Sequence, residues 1–172
     1  MIQVVPYDPA WPLLAASAIA ELTAVLPLTE IEHIGSTAVP GLAAKPVIDL
    51  MAAVPALAAV SDRDETLVRL GYRRFDGFAD RLFYARDTGG VRSHHLHVVT
   101  MDSWSTRNQR ILRDHLLSHP EDAARYAELK QTLAVTAANG DAYTAAKTEL
   151  IQELVDRARA ERGLPREPVW EA

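Results

Sequence analysis

Cysteine is absent from all 172 residues of the sequence. Without thiols the chain has no disulfide bonds, no thiolate metal site and no cysteine nucleophile. Long apolar runs are also missing, since none approaches the roughly 20 residues that cross a bilayer. The first residues, "MIQVVPYDPAW", lack the basic segment of a secretory signal. We therefore expect a soluble cytoplasmic protein without a membrane-bound segment.

A surplus of positive charge is lacking as well, because the net charge is -5. General nucleic-acid binding requires a broad cationic surface that displaces counterions, so this class of function is not expected. Locally the balance differs, since the 81–113 segment carries six arginines against Asp87 and Asp102. Such a segment is either a solvated face balanced by acidic neighbours or a local basic site.

Lysine is the scarce cation of this chain: Lys45, Lys130 and Lys147 stand among 18 basic residues. Where arginine is the default, a retained lysine suggests a need for a compact ammonium group. Lys130 and Lys147 each follow a tyrosine by four residues, a spacing that puts both side chains on one helix face. Alternatively, these lysines extend along an apolar stripe and cover the core.

Hydrophobic periodicity predicts an α+β fold with strands over 2–5, 29–36, 45–54, 72–75, 79–87 and 92–100. Asp8 is expected to cap a helix over 9–26 that buries Leu13, Leu14, Ile19, Leu22 and Leu26. A second helix is expected from Pro55 to about Gly71. Three further helices are predicted: around 107–119, after Pro120, and after the Asn139-Gly140-Asp141 break.

The length predicts a single domain over 1–162, with a sheet portion over about 1–102 and a helical portion over about 103–162. The remaining residues, 163–172, read as an irregular tail that Trp170 holds in place.

Asp49 interrupts a nearly continuous apolar strand, "KPVIDLMAAV". An ionised carboxylate on such a strand is unfavourable unless it is paired, hydrogen-bonded or bound to a metal. His33, His95 and His97 are the expected partners, because each lies on a strand that is predicted to join the same sheet. The contact of Asp49 with one of these histidines is either a structural hydrogen bond or part of a functional site.

Gly35-Ser36-Thr37 follows the strand over 29–36 and supplies small residues, hydroxyls and backbone amides. Such turns form anion-binding nests. The turn alone is a weak indication of a phosphate site.

Four segments, "IEHIGSTAVPGLAAKPVIDLM", "HLHVV", "RILRDHLLSHPEDAARYAELKQTLA" and "YTAAKTELI", resemble in order and spacing the motifs of the GrpB family. This resemblance implies a nucleotidyltransferase-like fold of the DNA polymerase beta superfamily, with a mixed sheet, flanking helices and a C-terminal helical portion. The family comprises small bacterial proteins and also occurs fused behind dephospho-CoA kinase. That enzyme is therefore a possible partner.

The resemblance also implies roles for particular residues. Gly35 and Ser36 correspond to a pair that contacts a triphosphate, and Asp49 to the first of two metal-binding carboxylates. The second position is Met51, whose thioether is a poor ligand for magnesium. His95 and His97 lie where the superfamily has a further carboxylate, so manganese or zinc is an alternative to magnesium.

Phosphate binding is expected to involve cations from both portions of the chain. The candidate phosphate-binding residues are Gly35, Ser36, Thr37, Lys45, Arg110, Arg113, Lys130 and Lys147. The candidate metal ligands are Asp49, His33, His95 and His97. Direct binding of phosphate without a metal is the alternative.

Two functions follow from the resemblance. The first is a module that binds a nucleotide or a phosphorylated small molecule and assists a partner enzyme, with an incomplete two-metal site. The second is an active nucleotidyltransferase that moves a nucleotidyl group to a small acceptor, with Asp49, His97 and Lys45 as catalytic residues. In the second, Asp49 holds the metal, His97 is a further ligand or general base, and Lys45 binds phosphate.

Overall fold

A computed structural model describes residues 3–169. Five strands form one sheet in the order β1-β2-β5-β4-β3. Their bounds are β1 Glu30–Ile34, β2 Ile48–Val54, β3 Tyr72–Phe75, β4 Leu82–Thr88 and β5 Val91–Thr100. Only the β2–β5 pairing is parallel among these strands. The mixed sheet confirms the predicted α+β class.

The helices are α1 Trp11–Val25, α2 Ala58–Ser61, α3 Asp64–Arg69, α4 Asn108–Ser118, α5 Pro120–Thr136 and α6 Gly140–Glu161. The chain forms two compact units. Within the described residues, the sheet unit comprises 9–34 and 47–105, and the helical unit comprises 3–8, 35–46 and 106–169. The 35–46 loop therefore belongs with the helices, although the sequence assigned it to the sheet portion. The single domain over 1–162 stays a prediction.

Helix α1 shows the largest difference from the expected burial. Leu13 is 72% exposed, whereas Trp11, Ala15, Ala18 and Leu22 are buried. Alanine has no side chain beyond Cβ, so this stripe allows close packing of α1 against β1 and β2. The prediction that Leu13 and Leu14 are buried was wrong because it favoured the bulky residues over the small ones.

The start of α1 and the segment after Pro55 also differ from expectation. Helix α1 begins at Trp11 after Ala10, with Pro12 in its first turn and no side-chain cap, so Asp8 is not the cap. The segment after Pro55 forms the two short helices α2 and α3 instead of one. Near the N-terminus, Val5 makes an isolated antiparallel bridge with Ala44. Residues 1–2 of the strand expected there, and Trp170 of the tail, lie outside the described residues.

The helical unit confirms the three predicted helices and their break at Asn139, whose side chain accepts a hydrogen bond from the Ala142 amide. Its core comprises Val39, Leu42, Leu112, Leu116, Tyr126, Ile151, Leu154, Val155 and Val169. Burial of these apolar side chains provides the main driving force for packing α4, α5 and α6 together.

A buried ionic network joins the same three helices. Asp122 in the first turn of α5 accepts hydrogen bonds from His115 Nε2 at 2.7 Å and from Arg125 at 3.3 Å. Arg157 of α6 lies 3.2 Å from the same carboxylate. Burial alone would raise the pKa of Asp122, but the His115 hydrogen bond and the two arginines outweigh it and lower the pKa.

None of the helices within 3–169 combines the length and apolar character needed to cross a bilayer.

Replacing Asp122 by asparagine removes the charge at the centre of this network. We expect the free energy of unfolding at pH 7 to fall by about 3 kcal/mol, because the partners of a buried charge pair are left unsatisfied. The folded pKa lies below the unfolded value of about 4, so the contribution of Asp122 is complete above pH 4 and is lost as the pH falls through the folded value.

Urea denaturation between pH 7 and pH 3 measures this difference. The deficit of Asp122→Asn should shrink as the solution becomes acidic, while the exposed control Asp62→Asn should show little deficit at any pH. A deficit that is constant with pH would contradict the assignment.

Candidate functional site

A buried lysine marks the helical unit. Lys130 lies on α5 and is 3% exposed, so its ammonium does not reach bulk water as a lysine that covers a core would. Its Nζ donates a hydrogen bond to Ser36 Oγ at 2.9 Å and lies 4.5 Å from the centre of the Tyr126 ring. The predicted i,i+4 pairing of Tyr126 with Lys130 is therefore a cation–π contact.

The other two lysines meet at a second tyrosine. Lys45 Nζ lies 5.0 Å and Lys147 Nζ 5.5 Å from the centre of the buried Tyr143 ring. Lys45 comes from the 35–46 loop and Lys147 from α6, so distant parts of the sequence converge here. We call Lys45, Lys130 and Lys147 the lysine cluster.

The surroundings of Lys130 are unfavourable for positive charge. Burial lowers the pKa of Lys130 to about 7, and the ammonium groups of Lys147 and Lys45 lower it further in the same direction. Within residues 3–169 no carboxylate forms an ion pair with Lys130. A buried cation without a counterion is a site that an anion would stabilise.

The Gly35-Ser36-Thr37 turn brings its hydroxyl to this lysine. Gly35 has φ 75° and ψ -175°, a conformation that is open essentially to glycine alone. A single turn of 3-10 helix follows over Ser36–Ala38, and Thr37 within it is buried. The glycine thereby sets the direction of the turn from which Ser36 accepts the Lys130 hydrogen bond.

The sheet unit supplies the partner that Asp49 requires. His95 Nδ1 lies 3.0 Å from Asp49 Oδ1, and the two residues are direct neighbours in the parallel β2–β5 ladder. Arg92 Nη1 lies 3.5 Å from His95 Nε2. Because the guanidinium can only donate, His95 Nε2 is the acceptor and Nδ1–H donates to the aspartate. A histidine partner for Asp49 is therefore confirmed.

His33 does not belong with this pair. The register pairs His33 with Leu50 and Ile34 with Asp49, so His33 points to the opposite face of the sheet from Asp49 and His95. Grouping His33 with the other metal ligands was wrong, because strand alternation alone does not reveal which residues become neighbours. His97 shares the Asp49 face, and its ring lies 5.0 Å from that of Phe83.

Met51 lies two residues after Asp49 on the same face of β2 and is 0% exposed. It packs with Ile34, Ala53, Val99 and Trp104 in a small apolar core. These residues do not fit a pair of magnesium ions, since a buried thioether among apolar groups supplies no oxygen ligand. Asp49 with His95 or His97 is compatible at most with a single borderline metal.

Most of the arginines in the 81–113 segment have acidic partners. Arg81, Arg86, Arg92 and Arg113 lie within 3.4 Å of Asp80, Glu21, Asp87 and Asp114 respectively. The interpretation as a balanced charged face therefore holds for these four. Arg113 donates two hydrogen bonds to Asp114, so its charge is already compensated. Phosphate binding by Arg110 and Arg113 stays a prediction.

The sequence reading missed the His115–Asp122 pair and the contact of Arg92 with His95. His115 and Asp122 are seven positions apart on two different helices, so no spacing within one helix signalled the first contact. Arg92 and His95 are three positions apart, which puts side chains on opposite faces of a regular strand, so their contact depends on the register shift at Arg86 and Asp87.

The model of the GrpB family, described as "GrpB protein", matches residues 1–157. The chain belongs to the GrpB family. A UPF0157 protein of Pseudomonas aeruginosa is 40% identical over 167 residues, which cover 92% of this chain and 68% of the relative. A dephospho-CoA kinase of Mycolicibacterium paratuberculosis is 30% identical over 190 residues, or 91% of this chain and 46% of that protein.

Solved structures agree with this assignment. The crystal structure of GrpB from Enterococcus faecalis matches 94% of this chain and 99% of its own, with a TM-score of 0.85 and 28% identity. Terminal uridylyl transferase 4 from Trypanosoma brucei, with bound GTP, matches 98% of this chain and 62% of its own at a TM-score of 0.55 and 13% identity. The GrpB-family chain therefore has a nucleotidyltransferase-like fold.

Replacing Lys130 by methionine tests whether the ammonium is buried against its preference. At pH 6 we expect the variant to exceed the parent in free energy of unfolding by about 2 kcal/mol, since burying an unpaired ammonium is unfavourable. The folded pKa of about 7 lies below the ordinary lysine pKa of 10.5, so the unfolded chain binds the extra proton between these values. The parent therefore gains stability relative to the variant as the pH rises through this window.

Urea denaturation at pH 6, 7.5 and 9 measures the difference in free energy of unfolding between Lys130→Met and the parent. Arg69→Met, which removes an exposed cation, is the control. An advantage of Lys130→Met that does not decline between pH 7.5 and 9 would rule out the low pKa.

Proposed function

We propose that the lysine cluster binds the phosphate of a nucleotide or of another phosphorylated small molecule, and that the protein acts as a binding or accessory module. The observation that carries this proposal is Lys130, a buried ammonium next to a hydroxyl and an aromatic ring, for which the described residues supply no carboxylate partner. Lys45 and Lys147 bring two further ammonium groups to the same unit. Three cations that repel one another favour an anion strongly.

Phosphate suits this arrangement better than a carboxylate or halide does. A phosphate dianion presents three oxygens and up to two negative charges, which match several separate ammonium groups. The Ser36 hydroxyl and the adjoining turn supply neutral donors of the kind found around phosphates. The glycine at position 35 leaves the backbone open to close approach.

Phosphate binding should be accompanied by proton uptake at Lys130. The pKa of Lys130 is about 7 in the unliganded protein, because of burial and the neighbouring lysines. A nearby anion stabilises the charged form and raises this pKa. Above pH 7, the neutral fraction of Lys130 is therefore protonated when the ligand binds.

The phosphorylated ligand is best sought among nucleotides and coenzyme A precursors. A relative named dephospho-CoA kinase contains a region similar to most of this chain, and the uridylyl transferase with a similar fold has GTP bound. Neither fact assigns a ligand to this protein. They define the first compounds for testing, the four ribonucleoside triphosphates and dephospho-CoA, and they make dephospho-CoA kinase the first candidate partner.

Thermal denaturation with each compound, in the presence of a chelator, tests phosphate binding. Near 100-fold saturation, a ligand adds about 2.7 kcal/mol of stability, which corresponds to roughly 5 °C or more for a chain of this size. We expect such a shift for at least one compound and its loss in Lys130→Met and Lys147→Met. Calorimetry in buffers of different ionisation enthalpy should show proton uptake at pH 8.

The matched control is Arg69→Met, which removes an exposed cation of the sheet unit and should keep the full shift. Shifts that persist in both lysine variants, or the absence of any shift, would overturn the proposal.

A second candidate function is nucleotidyl transfer, and the observation that favours it is the Asp49–His95 hydrogen bond on the Met51 face of the sheet. His95 fixes the orientation of the carboxylate, as histidine partners of functional carboxylates do. Since Met51 excludes a magnesium pair, this activity would require one metal, manganese or zinc, held by Asp49 with His95 or His97. His97 would be a further ligand or a general base.

Asp49→Asn separates the two functions, because it lies outside the lysine cluster. For a transferase, we expect a manganese- or zinc-dependent release of pyrophosphate from a nucleoside triphosphate that falls at least 100-fold in Asp49→Asn. His33→Gln, on the other sheet face, is the matched control and should retain the rate. If the parent protein binds the ligand but releases no pyrophosphate, nucleotidyl transfer is ruled out and only the binding function is supported.

A further inference from the structure

Three potential metal ligands converge in the helical unit, apart from every residue considered above for metal binding. His115 lies in the last turn of α4, His119 lies between α4 and α5, and Glu161 is the last residue of α6. One ligand atom from each lies within 4.8 Å of the others. The two imidazole rings stack with their centroids 4.0 Å apart and their planes 15° apart.

The state of His115 favours a ligand role. His115 is 2% exposed, and its Nε2 lies 2.7 Å from Asp122 Oδ2. An ionised Asp122 only accepts, so Nε2–H is the donor and the lone pair of the neutral ring stands on Nδ1. That Nδ1 is buried, and residues 3–169 offer it no hydrogen-bond partner. A buried acceptor without a partner is unfavourable and requires an explanation.

The tautomer of His119 leaves its other ring nitrogen available. Its Nδ1 lies 3.0 Å from the carbonyl oxygen of His115, which can only accept a hydrogen bond. Nδ1–H is therefore the donor, and the lone pair of the neutral ring stands on Nε2. A histidine that donates one ring N–H to a carboxylate or a carbonyl presents its other nitrogen in the form that metals bind.

We propose that His115, His119 and Glu161 form a site for a divalent transition-metal ion of the zinc class. Two imidazole nitrogens and one carboxylate oxygen suit a borderline ion such as Zn²⁺ better than the hard ions Mg²⁺ or Ca²⁺. Ligand bonds of about 2.0–2.2 Å require the three atoms to approach to roughly 3.3 Å. The stacked rings direct their lone pairs along nearly parallel planes, so the half-buried His119 ring and the exposed Glu161 side chain must both rotate toward His115 to close this distance.

The surroundings stabilise a cation at this position. Asp122 lies behind His115 and is itself held by Arg125 and Arg157, which fixes the orientation of the imidazole. Glu161 ends α6, and the carbonyl end of a helix carries partial negative charge. A bound ion would join the end of α4, the start of α5 and the end of α6, with a fourth position left for water.

Cobalt and zinc titration of the protein tests the site. The protein is expressed without a histidine tag, freed of metal with a chelator, and titrated with Co²⁺, whose visible absorption reports coordination number. We expect about one Co²⁺ per chain, visible bands of a four-coordinate ion, and their loss when Zn²⁺ displaces it. His119→Ala and Glu161→Gln should each weaken binding at least 10-fold and remove the zinc-dependent rise in melting temperature.

The controls separate this site from other histidines and acids. Glu149→Gln changes an exposed acid of the same helix, and His95→Ala changes the histidine paired with Asp49. Both should bind Co²⁺ as the parent does. His115 is left intact because its loss would also break the contact with Asp122. Circular dichroism is used to check that His119→Ala and Glu161→Gln are folded.

The proposal is overturned if the parent takes up no Co²⁺ or Zn²⁺ at micromolar concentration. It is also overturned if His119→Ala and Glu161→Gln bind as tightly as the parent, or if only His95→Ala loses the ion.

Discussion

The register of β2 between its two neighbours determines which polar groups of the sheet unit can act together. Antiparallel pairing with β1 places Ile34 beside Asp49, and parallel pairing with β5 places His95 on the other side. A shift by one residue would turn every side chain of β2 to the other face. Asp49 would then lose the His95 hydrogen bond, and Met51 would leave its apolar core. The apolar side chains of β2 therefore hold the aspartate in place.

The helical unit buries Lys130 at a position where an arginine would keep its charge. An arginine guanidinium stays protonated in proteins, whereas a lysine ammonium can lose its proton when burial is unfavourable. Lys130 tolerates its position because its pKa is near neutrality, an effect of burial and of Lys147 and Lys45. The scarcity of lysine in an arginine-rich chain thus has a physical counterpart, since all three lysines lie around Tyr126 and Tyr143.

Histidines occupy three different environments in this protein. Burial, together with the neighbouring Arg86 and His95, lowers the pKa of His94 to about 4, so its ring is neutral at physiological pH. His95 donates to Asp49 and faces Arg92, whereas His115 donates to the buried Asp122. In each case the hydrogen-bond partner selects the ring nitrogen that carries the proton. No described residue is a hydrogen-bond partner of the remaining nitrogen of His115, and this buried atom provides the strongest geometric argument for a metal ion.

The sequence by itself determined the class of fold, the five strands and the three long helices of the helical unit, because hydrophobic periodicity and turn residues act locally. It also identified Asp49, Ser36 and the three lysines as chemically unusual, since a charge in an apolar run and a rare residue type are visible without coordinates. Tertiary structure alone decided the partners. Neither local pattern nor spacing could show that His95 rather than His33 meets Asp49, because strand register depends on packing of whole faces. Nor could they show that Ser36 meets Lys130, or that Glu161 comes near His119, because contacts between distant segments depend on how the helices pack.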